Sequence, residues 1–315
     1  MKRLFLTLLT GFALLSSGVA SANEKLRISY VRSPFNLQMI VMKEQGILDK
    51  HLRPLGLTAE WLEITSGAKQ AQALASGDLD IGGVMNTTST LMANGEGNPI
   101  KIIAGVARPT DVFAIVGAKG GVTQVNELKG KTVAGPKGTV LHQLLVAALA
   151  KEGMSINDVN FIQMDIPKAF AALQSGQVDA ALMAANFVIN AQKEGSQIIT
   201  TATGYVTPIL VMTTSDKFLQ ANPERVKAVV DAHNEAWEWI SNNHQAAIAL
   251  GAKVQGITED EAQTLFNWSH FTQNLTEQDI ESMKADIQFM LENDMMRNTI
   301  EVAPIIAPGV LKTAE

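Results

Sequence analysis

Five short runs of hydroxyl, amide or basic side chains each follow a stretch of apolar, strand-like residues. They are Ser33-Pro34-Phe35-Asn36, Thr65-Ser66-Gly67, Asn86-Thr87-Thr88, Lys137-Gly138-Thr139 with His142, and Ala185-Asn186-Phe187. In an α/β sheet such positions lie beyond the C-terminal strand ends, where helix N-termini present free N–H groups and a positive dipole end. Hydroxyls and amides placed there give hydrogen bonds to an oxygen-rich group. A lone Ser or Thr serves equally well as a helix cap, so five runs arriving at one edge point to a ligand more strongly than any one of them. Among the charged candidates, His142 lies on the first turn of its helix and faces either the cleft or a packing contact. Lys137 approaches an anion or snorkels to solvent. Asp165 follows a strand at the same edge. Arg108 and Asp111 flank Pro109, placed to read both ends of a zwitterion or to pair with each other.

Catalytic motifs fail on inspection. Gly130-Lys131-Thr132 resembles the tail of a phosphate loop, but Val125 stands where the first Gly belongs, and the segment precedes a strand. Ser66 and Lys69 match S-x-x-K with no S-D-N or K-T-G partner. The histidines at 51, 142, 233, 244 and 270 form no H-x-H or H-E-x-x-H pair, so no metal and no cofactor is expected.

Residues 1–22 read as a secretory signal peptide: Lys2 and Arg3, the apolar run LFLTLLTGFALL, then Ala20-Ser21-Ala22 as a cleavage site. The run is too short to span a bilayer comfortably. The mature chain is expected to begin at Asn23 and to work in the periplasm. With no cysteine in the chain, a lipid-anchored lipoprotein, disulfides and thiol nucleophiles are excluded. Removing Lys2 and Arg3 from the 25 basic residues leaves 23 against 31 acidic ones. That balance disfavours nucleic acid, which needs a concentrated basic face, but leaves room for a small anion held by local donors.

Strands alternate with short helices along most of the chain. Strands are expected over Lys25–Val31, Leu57–Ile64, Leu79–Val84, Ile100–Ala107 and Val112–Gly117, with helices over 33–48, 66–77 and 87–95. The grammar then repeats, with strands at Lys131–Gly135, Val159–Met164, 178–183, 196–202 and 207–214 and helices at 139–153, 167–176 and 187–195. From Asp216 onward the pattern is helical, with Asn222-Pro223-Glu224 and Thr258-Glu259-Asp260-Glu261 as N-terminal caps. One octapeptide is written twice, ALASGDLD at 73–80 and ALQSGQVD at 172–179. Each ends a helix at Ser-Gly and opens a strand at an apolar-Asp pair. Gly permits the left-handed turn that closes the helix, and Asp80 and Asp179 fix the turn. One such unit per half implies two similar α/β lobes with the ligand between them.

The motifs L-K-G-K-x-V-A (Leu128–Ala134), P-K-G (Pro136–Gly138), His142, Asp158-Val159 and G-x-V-D-A (Gly176–Ala180) resemble solute-binding proteins of the aliphatic sulfonate, nitrate and taurine class of ABC importers. KEQGILDK, the helix start at Gly67 and ALASGDLDIG in the first half are similar to the same family. The resemblance implies an α/β fold of periplasmic binding protein type II, two Rossmann-like lobes joined by two crossover strands, here with extra C-terminal helices. The crossovers are expected near Arg108–Phe113 and Val206–Thr213. The expected parts are lobe 1 at 23–110, lobe 2 at 111–208, and a return to lobe 1 at 209–315. The implied role is capture of a small, anionic organic ligand by a monomer that delivers it to an ABC permease in the inner membrane, without catalysis. An enzyme on the same fold, of thiamin-precursor or menaquinone-pathway type, and a receptor presenting ligand to a membrane sensor are the alternatives. One departure stands out. Sulfonate binders carry a Trp-rich stretch ending W-x-P after G-x-V-D-A, whereas this chain has Ala181, Ala184 and Asn186, which removes an aromatic wall and implies a larger or chemically different ligand. Trp61, Trp237, Trp239 and Trp268 read as core or lobe packing.

Overall fold

A computed structural model describes residues 24–30 and 35–312; the expected signal peptide, its expected cleavage point and Ser33 lie outside the described residues. The first stretch runs β1 (Glu24–Tyr30), α1 (Leu37–Glu44), α2 (Ile47–Leu52), β2 (Leu57–Glu63), α3 (Gly67–Ser76), β3 (Ile81–Asn86), α4 (Thr87–Gly95) and β4 (Ile100–Ala107). The middle continues β5 (Phe113–Gly117), β6 (Thr132–Gly135), α5 (Val140–Lys151), β7 (Asn160–Gln163), α6 (Ile166–Gln174), β8 (Ala180–Ala184), α7 (Asn186–Lys193) and β9 (Gln197–Thr201). Then come β10 (Leu210–Ser215), α8 (Asp216–Ala221), α9 (Pro223–Asn242), α10 (His244–Gln255), α11 (Glu259–Ser269) and α12 (Glu277–Glu292).

The strands make two sheets of the same design, ordered β2-β1-β3-β10-β4 and β7-β6-β8-β5-β9. In each, the first three strands are parallel and the fourth runs antiparallel to both neighbours. That fourth strand is the one that has just crossed from the other lobe. Residues 108–112 carry the chain across between β4 and β5, and 202–209 return it between β9 and β10. This is the two-lobed α/β architecture the repeat implied.

The repeat makes the same contact twice. Gly77 and Gly176 both take left-handed φ values, 80° and 72°, closing α3 and the turn after α6. Beyond them, Asp80 accepts the Arg27 backbone N–H at 2.8 Å, and Asp179 accepts that of Thr132 at 2.8 Å. Each Asp also donates its own backbone N–H to the carbonyl of that same residue. Asp80 adds a two-pronged pairing with the Arg27 guanidinium; Asp179 has only Lys131 at 4.0 Å.

Two sequence expectations are corrected here. The helix expected over 33–48 is two helices, because Gly46 at φ 64° turns the chain between them. Arg108 and Asp111 do not pair with each other. Arg108 binds Asp279 of α12 through two nitrogens, at 2.8 and 2.5 Å, while Asp111 accepts the hydroxyls of Thr201 and Thr203. Both fasten the crossover segments. The C-terminal helices complete the first lobe: α9 packs on α1 and α2, and α12 on α4. The four tryptophans are partly buried; Trp61, Trp237, Trp239 and Trp268 all pack against the main core.

Candidate functional site

A cavity of about 50 Å³ lies between the lobes. Four helices start at its wall: α3 through Ser66 and Gly67, α4 through Asn86, α5 through Thr139 and Val140, and α6 through Asp165 and Ile166. Each start carries the positive end of a peptide dipole and N–H groups with no partner inside the helix, although at α4 those of Thr87 and Ser89 are taken by Ile209 and Asn86. Two helices come from each lobe, so the favourable field for an anion exists only where the lobes meet. Gly67 belongs to a tight junction, since a Cβ there would lie 2.7 Å from Ser89 Oγ and 2.9 Å from Asn86 Nδ2. The rest of the wall is mostly apolar, with Val84, Phe113, Pro136, Leu141 and Leu210 beside the polar Thr65 and Gln70.

The sequence-predicted residues divide into several groups. Thr65, Ser66, Gly67, Asn86, Thr139 and Asp165 line the cavity together. Within it, Asn86 Oδ1 caps α4 by accepting Ser89 N–H at 2.8 Å, and Thr139 Oγ1 donates to the Pro136 carbonyl at 2.9 Å. Lys137 stands at an adjoining cleft of about 370 Å³ with Lys69, Asp165 and Lys168. Asn186 lines a separate chamber beside the cavity.

Thr88 and Gly138 hold the lobes together. Thr88 Oγ1 donates to Gln143 Oε1 at 2.6 Å, and the Gly138 carbonyl accepts Ser89 Oγ at 2.8 Å. Thr87 is buried in α4, its N–H bonded to Ile209. Phe35 packs into the core of the first lobe against Gly251 of α10, and buried Asn36 precedes α1. None of Phe35, Asn36, Thr87, Thr88, Gly138 and His142 lines the cavity. The His142 ring lies against Phe161, centroids 5.2 Å apart. Burial, with Lys137 nearby, pushes its pKa down to about 4, so the ring is neutral at physiological pH.

Sequence reasoning passed over Gln70, which is buried and lines the cavity. Its Nε2 donates to the carbonyls of Ile64 and Val84, and its Oε1 accepts Ser29 Oγ. One helical turn past Ser66, it was readable only as a polar residue on the inward face of α3. Phe113 and Leu210 were also missed as wall residues, although both stand at the expected crossovers. Ala181 and Ala184, expected to open space, are buried in β8 inside the sheet core. Of the three positions, only Asn186, with Phe187, lines open space.

Around the cavity the lobes also meet through ion pairs, Lys69 with Asp165 at 2.9 Å and Lys193 with Glu261. Among the described residues there is no cluster of three or more His, Asp or Glu that could hold a metal, and no helix is long and apolar enough to cross a membrane.

Comparison with known proteins agrees with the two-lobed fold. The family model described as NMT1/THI5 like matches residues 52–247. A protein of Brucella abortus (strain 2308) described as a binding protein is 27% identical over 269 residues, 84% of this chain and 82% of its own length. The taurine-binding periplasmic protein of Escherichia coli (strain K12) is 28% identical over 214 residues, 65% of this chain and 66% of its own. The alkanesulfonate-binding protein SsuA from Xanthomonas axonopodis pv. citri, bound to MOPS, has the same fold, with a TM-score of 0.79 at 21% identity over 90% of this chain and 98% of that chain.

Proposed function

The chain belongs to the NMT1/THI5-like family, and from that premise we propose that it is a periplasmic solute-binding protein that captures a small organic anion between its lobes and delivers it to an ABC permease. The observation that carries this reading is the convergence of four helix N-termini, two from each lobe, on one interlobe cavity. A sulfonate or similar oxyanion head seated there would receive N–H and hydroxyl donors from both sides, so its binding favours the closed arrangement over the open one. The apolar wall formed by Val84, Phe113 and Leu210 suits the carbon-bearing part of such a ligand. Taurine and alkanesulfonates, named for two of the similar proteins, define the ligand class to test first.

Binding without catalysis is the reading the wall supports. Ser66, its most nucleophile-like residue, has no side-chain capping bond, and the imidazole of His142 packs against Phe161 outside the cavity. A serine nucleophile needs a base within hydrogen-bond reach.

A thermal-shift screen against alkanesulfonates, taurine, nitrate, pyrimidines and aromatic carboxylates tests the reading. A true ligand at about 100 times its dissociation constant adds ~2.7 kcal/mol to stability. A sulfonate is expected to raise the melting temperature, and no shift from any of these classes would overturn the proposal. N-terminal sequencing of exported protein is expected to begin at Asn23; retention of residues 1–22 would remove the periplasmic assignment.

A further inference from the structure

Next to the interlobe cavity is a second chamber of about 240 Å³, and Thr65 and Ile166 form part of the wall of both. Its remaining wall is apolar Pro167 and Phe187, with Glu63, Asn186 and Gln255 as polar groups. Asn186 opens α7 immediately after β8. Its Oδ1 is covered by protein yet receives no hydrogen bond. A buried acceptor in that condition carries a desolvation cost that a folded chain rarely bears without a use for it. The residue before it is held in an unusual backbone conformation, Ala185 at φ 50° and ψ −122°, with its N–H bonded to the Val112 carbonyl at 2.8 Å. That bond ties the position of Asn186 to the first crossover segment. The amide is therefore well placed, and what it lacks is a donor.

Resting on the anion-binding reading of the cavity, we infer that the ligand is longer than its anionic head, and that Asn186 determines specificity by accepting a hydrogen bond from an O–H or N–H group on the ligand's far end. The head lies at the helix N-termini, the chain passes Ile166, and the tail lies between Pro167 and Phe187. In this arrangement Oδ1 faces protein and is out of the chamber's reach; half a turn of the amide about its last torsion brings the oxygen to the chamber, where a ligand donor can meet it. Only the oxygen can accept. The ligand class is an organic anion with an apolar spacer and a terminal hydroxyl, amine or ring N–H.

The test uses titration calorimetry with methanesulfonate as the head alone, and with matched alkanesulfonates of increasing length, with and without a terminal hydroxyl. Wild-type protein should bind methanesulfonate weakly. Once the spacer is long enough to reach the chamber, it should prefer the hydroxyl-bearing member about tenfold, since the apolar member leaves Oδ1 unsatisfied. Asn186→Ala should reduce that preference to within about twofold and leave methanesulfonate affinity unchanged. Asn186→Asp, which keeps the shape and the acceptor, should retain it. A preference that survives in Asn186→Ala, or no preference at any length, overturns the inference while leaving the anion site intact. No binding of methanesulfonate or any longer sulfonate overturns the anion-site reading itself, and this inference with it. Unfolding curves on each variant separate lost binding from lost folding; Asn186→Asp serves as the second variant if Asn186→Ala does not fold.

Discussion

The hydroxyl of Thr88 donates to the side-chain oxygen of Gln143 at 2.6 Å, and the nitrogen of the same amide donates to Asp286 at 2.5 Å. Thr88 and Asp286 belong to α4 and α12 of the first lobe; Gln143 belongs to α5 of the second. One buried amide thus has both ends held by the opposite lobe. Neither Thr88 nor Gln143 lines the cavity. Gln143→Leu should therefore weaken ligand affinity several-fold through the closed state alone, chiefly by faster dissociation. Stopped-flow dissociation kinetics check this, and an unchanged rate would show that the bonds contribute nothing to closure.

Lys69 and Asp165 meet from opposite lobes where the cavity opens into the adjoining cleft, and they should respond with opposite signs. Lys69→Ala leaves a carboxylate beside the anion site and should weaken binding; Asp165→Asn leaves an ammonium there and should strengthen it. The pair is partly exposed, with side-chain accessibilities of 55% and 34%, so each effect should be at most about fivefold. Both should shrink as salt rises. Titrations at low and high ionic strength decide it, and changes of the same sign would refute the electrostatic account.

Stability should depend on pH through three buried groups. Burial pushes His142 and His233 down to about 4, and pushes Asp286 up to about 6 against the lowering effect of its Gln143 bond. Between pH 4 and 6.5 the unfolded histidines bind protons that the folded ones do not, so their contribution to stability rises with pH in that window. Asp286 acts in reverse: its folded form holds a proton the unfolded form has lost, so stability falls as pH climbs from 3.8 to 6. Asp286→Asn should therefore stabilise the protein at pH 8, by up to about 3 kcal/mol, and hardly at all at pH 3.5. Urea unfolding across pH measures both ends.

The twice-written Asp should matter unequally. Asp80 is nearly covered and holds a guanidinium by two bonds, so Asp80→Ala leaves Arg27 without its partner and should cost about 3 kcal/mol. Asp179, with 42% of its side chain exposed and its lysine 4.0 Å away, should cost about 1 kcal/mol. Denaturant midpoints of the two variants give the comparison directly.

Much of the architecture was legible because periodicity and punctuation agree: strands alternate with helices, and the duplicated Ser-Gly turn marks corresponding points in the two lobes. The helix over 33–48 misled because Gly46, inside that range, takes a left-handed φ that ends one helix and starts another. The strand-end rule found Thr65, Ser66, Gly67, Asn86 and Thr139, and with Asp165 at the same edge all six line the cavity. It overreached at His142 for a geometric reason. Successive residues on α5 are about 100° apart, and Val140 and Leu141 already face the cavity, which turns His142 toward Phe161. Gln70, Phe113 and Leu210 escaped because a buried amide on a helix and apolar residues at strand starts look the same whether they line a cavity or fill a core.

The position of β10 sets an order of assembly. Every strand of the second sheet, from β5 to β9, has left the ribosome or translocation channel once residue 201 has emerged. The first sheet has no such independence, because β10 is wedged between β3 and β4, about a hundred residues after β4 in the chain. Until it arrives, β3 and β4 cannot pair across the gap, and the apolar faces of Ile81, Ile102 and Ala104 have no strand between them to cover. The lobe that begins the chain is thus the last to become whole, and its half-built sheet is the stretch in which an emerging chain is most open to mispairing with another copy.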